Sequence, residues 1–202
     1  MARAARTRTR LDPEIRRALI IDAAERLFAA RDPALVTFED VAEEAGVSRA
    51  LVHNYFGDRG GLLAEVYLRG CRALDEELAR AVAIPGGARA QLERLVDAYV
   101  SAARRDPTPW RLLGSVEQAS HPQVRAARRA RWVALAETWG DTPQARLVAR
   151  GVIAFVESAV LAWLEHPVDG MDADEVGAAV VAMLWSGLDG LGRLGVVQIG
   201  RR

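Results

Sequence analysis

At 202 residues the chain is sized for one domain, or for a small domain joined to a larger one. Half of its residues are apolar and 27% are charged, which excludes a disordered or fibrous polymer and allows a real core. Twenty-seven basic residues, every one an arginine, balance 27 acidic ones, so net charge gives no argument for a polyanion partner and only local charge can. A single cysteine, Cys71, excludes a disulfide framework and a cysteine-based zinc cluster. The histidines at 53, 121 and 166 are too scattered for metal-ligand spacing, and no metal or cofactor is expected. The longest uncharged apolar stretch, Val176 to Leu188, is 13 residues, too short to span a bilayer. Residues 1–10 are basic but lack the apolar core of a secretory signal. No membrane association is expected, and the location expected is cytoplasmic.

Helix punctuation recurs along the whole chain, and no run alternates with the period of a strand. Asp12-Pro13 is an N-cap followed by proline at the first helical position, opening a helix to about Ala30. Thr37-Phe38-Glu39-Asp40 is a capping-box variant opening a short helix that carries Phe38, Val41, Ala42 and Ala45 on one face. Gly46 stands where a left-handed residue ends it, and Ser48 caps another short helix that stops at Gly57. Asp58 caps a long fourth helix predicted to run unbroken to about Val82. Leu92, Leu95, Val96, Tyr99, Val100 and Ala103 stripe a fifth, closed by Arg104-Arg105. Thr108-Pro109 opens a sixth ending near Ser120, His121-Pro122 a seventh to Trp139, and Asp141-Thr142-Pro143 an eighth to His166-Pro167. Asp172 with Glu175 opens the last, which fades through Gly190, Gly192 and Gly195. The expectation is an all-α chain of about nine helices.

Helices as short as those between Thr37 and Phe56 are marginal alone, so they must be held by packing, for which Val41, Ala42, Val47, Leu51 and Val52 are available. Joined by the turn Ala45-Gly46-Val47-Ser48, they make a helix-turn-helix whose second helix fits the DNA major groove. On its outer side lie Arg49, Ala50, His53 and Asn54: a bidentate guanine reader, a small residue allowing close approach, and two side chains able to bond base edges. Thr37 and Tyr55 offer hydroxyls to phosphates, while Phe56 reads as core. Arg3, Arg6, Arg8 and Arg10 form an arm with no acid before Asp12, suited to phosphates or a minor groove, or else a solvated tail. Against DNA binding, residues 1–57 hold nine Arg and nine acids.

Ile20-Ile21-Asp22-Ala23-Ala24-Glu25-Arg26-Leu27-Phe28, the segment Thr37 to Ser48 and Asn54-Tyr55-Phe56 closely resemble the N-terminal domain of TetR-type bacterial transcriptional regulators. The resemblance covers about residues 15–68, and beyond them only the helix layout agrees. It implies a basic arm over 1–10, a DNA-binding domain over 11–57, and a ligand-binding and dimerisation domain over 58–195. It further implies DNA-backbone contacts from Thr37, Tyr55 and Arg59, and base or backbone contacts from Ser48, Arg49, Ala50, His53 and Asn54. The chain departs from the family pattern at Ala50-Leu51, where Gly-Thr or Gly-Ser is usual. It departs again at His53, where an aromatic is usual, and at Arg59-Gly60-Gly61, where Lys-Glu-Ala is usual. Two glycines in a first turn weaken a helix by roughly 1 kcal/mol each at most.

The second two-thirds carries all five tryptophans. By the same resemblance it encloses a small-molecule pocket, with Tyr99, Trp110, Leu113, Glu117, Trp132, Leu135 and Phe155 as candidate walls. Each of these also suits plain core, and Glu117 suits either a ligand or solvent. Arg125, Arg128, Arg129 and Arg131 read as a solvated helix face, or as a site for an anionic ligand such as an acyl-CoA. The last two helices, Gln144–Glu165 and Asp172–Leu191, are apolar over more than one face and are expected to pair across a two-fold axis in a homodimer. No nucleophile elbow, carboxylate pair or phosphate loop argues for an enzyme. The function expected is a DNA-binding repressor released from a palindromic operator by a small hydrophobic effector. The alternative is a DNA-binding regulator with no effector, controlled by abundance or a partner protein.

Overall fold

The computed structural model describes residues 12–113, 121–166 and 171–193, and among them finds ten α-helices, one 3₁₀ turn and no strand. In chain order the helices are α1 (Pro13–Ala30), α2 (Phe38–Ala45), α3 (Arg49–Phe56), α4 (Arg59–Gly70), α5 (Arg72–Ala83), α6 (Ala88–Arg105), α7 (Thr108–Leu113), α8 (Pro122–Thr138), α9 (Pro143–Glu165) and α10 (Ala173–Arg193). The 3₁₀ turn, Pro33–Leu35, joins α1 to α2. The chain divides into two compact units, with the division after Leu62.

In the first unit, α1 packs on α2 and α2 on α3. Asp12 caps α1 by accepting from the Glu14 amide at 2.8 Å. Ile20, Ile21, Ala23, Ala24, Leu27 and Phe28 of α1 meet Val36, Val41, Ala42, Val52 and Phe56, all buried. That small core holds two eight-residue helices that could not stand in water alone.

In the second unit, α5 packs against α6 and α8, α6 against α9 and α10, and α9 against α7 and α8. One apolar core joins them, from Leu74 and Leu92 through Tyr99, Trp110, Leu135 and Trp139 to Val156, Val160 and Val180. The buried Trp139 indole donates to Gln91 Oε1 at 3.1 Å, the hydrogen bond that a buried indole N–H requires.

Two expectations need correction. The single fourth helix is two, because the chain turns at Cys71 between α4 and α5. A Cβ at Gly70, beside this turn, would lie 2.5 Å from Pro109 Cγ, so glycine allows the close approach of α7 there. The second concerns the apolar run. α9 is long and apolar enough to cross a bilayer by length and composition, although its most apolar window is only 33% buried. Its uncharged stretches are broken by Arg150 and Glu157, which hid its extent. One face of α9 buries Ala145, Ala149, Val152, Ile153, Val156 and Val160, while Leu147, Gly151, Ala154, Ser158 and Ala162 are exposed.

Candidate nucleic-acid interface and effector region

Local hydrogen bonds fix the pair α2–α3. Thr37 Oγ1 accepts from the Asp40 amide at 3.2 Å, and Asp40 Oδ2 accepts from the Thr37 amide at 2.8 Å and from its hydroxyl at 2.6 Å, completing a capping box. These bonds hold the exposed Asp40 carboxyl below the usual carboxylate range. At the other end Gly46 adopts φ 65°, ψ 34°, with Gly46 N–H bonded to Glu43 O and Val47 N–H to Ala42 O. That is a Schellman ending, and its left-handed residue strongly favours glycine. Ser48 then caps α3, its Oγ accepting from the Leu51 amide at 3.2 Å.

With Val52 and Phe56 buried, the helical period turns Arg49, Ala50, His53 and Asn54 outward, and all four are exposed. Arg49 is 69% exposed and pairs with Glu39 of α2 at 2.9 Å. The His53 ring stands edge-on to Phe38, with centroids 6.5 Å apart. Tyr55 is half-buried, its ring 6.2 Å from that of Phe56, while Thr37 and Ser48 are exposed at the caps. The structure thus gathers seven of the eight residues singled out for DNA on α3 and the two caps. The eighth, Arg59, is half-buried, and its guanidinium donates to the backbone carbonyls of Pro33 and Val36, bracing the segment that leads into α2. The arm arginines Arg3, Arg6, Arg8 and Arg10 lie outside the described residues.

Residues 20–66 match the family model described as bacterial regulatory proteins, tetR family. The HTH-type transcriptional regulator BetI of Stenotrophomonas maltophilia is 31% identical over 166 residues, which are 77% of this chain and 83% of that protein. The chain belongs to the TetR family. The HTH-type transcriptional activator FasR of Mycolicibacterium smegmatis is 25% identical over 190 residues, 89% of this chain and 85% of that one. A TetR-family regulator from Streptomyces coelicolor superposes with a TM-score of 0.68 at 24% identity, over 91% of this chain and 85% of that one. The protein is a helix-turn-helix DNA-binding transcriptional regulator rather than an enzyme.

In the regulator's second unit the candidate pocket residues separate. Tyr99, Trp110 and Leu113 line one small void of about 10 Å³ together with Tyr67, Cys71, Leu74, Pro109, Arg131 and Glu157. Leu135 is buried in the core, and Trp132 and Phe155 are partly buried against it. None of these three lines that void, and Glu117 lies outside the described residues. A larger groove of about 410 Å³ runs between α6 and α10, with Val96, Val100 and Val181 on its walls alongside Arg89, Glu93, Asp97, Arg104 and Asp174.

The reading of a solvated arginine face fails for two of its four members. Arg125 and Arg129 are exposed, but Arg131 is buried, and its Nε donates to Asp75 Oδ1 at 2.7 Å. Its Nη1 donates to the Tyr67 hydroxyl at 3.0 Å and to Glu157 Oε1 at 3.4 Å. Arg128 donates through Nε to Glu157 Oε2 at 3.0 Å. Glu157 is 4% exposed, and a buried carboxylate is tolerated when two guanidinium groups hold it. The only hint in the sequence was a lone glutamate in the apolar run of α9.

Proposed function

We propose that the regulator is a homodimeric, cytoplasmic repressor that binds a palindromic operator through α3 and is released by a small effector held in its second unit. The observation carrying the DNA reading is the exposed face Arg49, Ala50, His53 and Asn54 on a helix locked at both ends by caps. Arg49 suits a guanine edge, His53 and Asn54 neighbouring bases, and Thr37, Ser48 and Tyr55 the phosphates. Arg59 acts by positioning α2. The arm matters because residues 12–62 carry six Arg against ten acids, a balance that repels phosphate until the four arm arginines neutralise it. The dimer reading rests on the exposed stripe of α9 together with Ala178, Ala179, Ala182 and Met183 of α10, whose small side chains allow close helix approach.

Selection from a random DNA pool tests this reading. A palindrome with half-sites about one helical turn apart is expected. Arg49→Ala should weaken binding to it by roughly 1–3 kcal/mol and relax one base per half-site, whereas removal of residues 1–10 should weaken all binding and flatten its salt dependence. The FasR relative is described as an activator, so a reporter fused to the selected site decides the sign, and higher expression with the protein present overturns repression. The smallness of the void at Tyr99 and Trp110 favours one second reading, a regulator controlled by abundance or a partner protein. Operator occupancy that follows protein level or an added partner protein, and no tested compound, would support it.

A further inference from the structure

Around the void of the second unit, two buried groups are left over. Arg131 Nη2 and the Tyr99 hydroxyl have no hydrogen-bond partner among the described residues, although Arg131 is 7% exposed and Tyr99 1%. Buried donors without partners are costly and therefore rare, and two on residues lining one void make it a candidate recognition point. The wall is otherwise satisfied: Arg131 spends its other nitrogens on Asp75, Tyr67 and Glu157. Leu113 is the one half-buried residue of the lining, and the others are buried.

We propose that this centre receives the carbonyl oxygen of a compact, uncharged effector, with Arg131 Nη2 and the Tyr99 hydroxyl as its two donors; the proposal rests on the effector reading above. A carbonyl oxygen has two lone pairs and takes both donors at once. The void of about 10 Å³ is the size of one such oxygen, so seating the apolar remainder of the ligand requires Trp110 and Leu113 to move aside. Charge selects against an acid. Arg128 and Arg131 are already balanced by Asp75 and Glu157, and the Glu157 carboxylate is itself part of the wall. A carboxylate ligand would add an uncompensated buried charge beside it. Burial also raises the Tyr99 phenol well above its ordinary value, so the hydroxyl keeps its proton to donate.

The test uses the full chain at pH 7 with three probes of one shape: acetophenone, ethylbenzene and benzoate. Binding is read by calorimetry and by tryptophan fluorescence. Acetophenone is expected to bind at least ten-fold more tightly than either other probe, which is about the worth of one hydrogen bond. Tyr99→Phe removes one unpaired oxygen and leaves packing intact. It should lower acetophenone affinity toward that of ethylbenzene while leaving ethylbenzene itself unchanged. Tighter binding of benzoate, indifference of acetophenone to Tyr99→Phe, or no binding of any probe overturns the proposal. A compound that releases the operator equally from wild type and Tyr99→Phe removes this site but leaves the effector reading standing. Acetophenone bound as expected with the operator still held removes release instead.

Discussion

Gly61 shows at the scale of one residue how a departure from a family pattern becomes a requirement. A Cβ at this position would lie 2.2 Å from the carbonyl oxygen of Phe56, which is backbone and cannot swing aside. The Gly61 amide also donates to Asp58 Oδ1 at 2.8 Å, fixing the tight entry from α3 into α4. Helix propensity alone favours alanine over glycine by about 1 kcal/mol. We expect Gly61→Ala to destabilise instead, by about 1–3 kcal/mol, because the clash must be relieved by moving α3 or α4. Urea denaturation decides the sign, and a more stable variant would show that the turn can open freely. From sequence, the glycine pair could be read only as a weak first turn. Its cause is the approach of the Phe56 carbonyl five residues earlier, which depends on how α3 turns into α4 and has no residue-type signature as the left-handed helix ending has. Gly46 was legible because the reason for it, a left-handed helix ending, lies within its own five residues.

Among the elements, α2 depends most on its first turn, since eight residues leave few internal hydrogen bonds. The Thr37 hydroxyl and amide, with Arg31 nearby, hold the Asp40 carboxyl below its ordinary value. A carboxyl lowered in the folded state contributes stability that is present above the ordinary carboxylate range and lost as pH falls through the folded value. Acid should therefore loosen the start of α2 first, seen as early exchange of the Thr37 and Asp40 amides, and Asp40→Asn should remove that acid step. Thr37→Val should cost about 1 kcal/mol at neutral pH, read from thermal melts. It should cost less in acid, where Asp40 is protonated and no longer gains from the Thr37 hydroxyl. Helix starts set by local caps were legible: α1, α2, α3, α8, α9 and α10 begin within a residue of where their capping residues put them, while α6, read only from its apolar stripe, starts four residues before Leu92. The break at Cys71 was not legible, and the residue that Gly70 beside it must clear, Pro109, lies far along the chain. The inward turn of Arg128 and Arg131 was hidden for a related reason. Four arginines on one helix fix a spacing, and partners on other helices, Glu157 with Asp75 and Tyr67, decide which of them face inside.

For the whole molecule, the surface proposed to pair two subunits is the outer stripe of α9 and α10. Leu147 is 73% exposed and Met183 62%, amid alanine, glycine and serine. Replacing both with glutamate should leave a folded protein of monomer mass by light scattering, with operator affinity lowered at least a hundred-fold, since one reader must then bind without its partner. A dimer mass for that variant would place the subunit interface elsewhere.

The pairing of Arg49 with Glu39, in a domain whose arginines and acids cancel, bears on how long the regulator dwells on wrong DNA. A genome offers about 10⁶–10⁹ non-specific sites, each competing through phosphate attraction alone. If Arg49 reads a base edge as proposed above, every complex that uses it, on right or wrong DNA, must first open this exposed pair with Glu39, at about 0–1 kcal/mol. The wrong sites are therefore left to the phosphate attraction of the other arginines, and only a guanine edge that replaces the Glu39 contact recovers the difference.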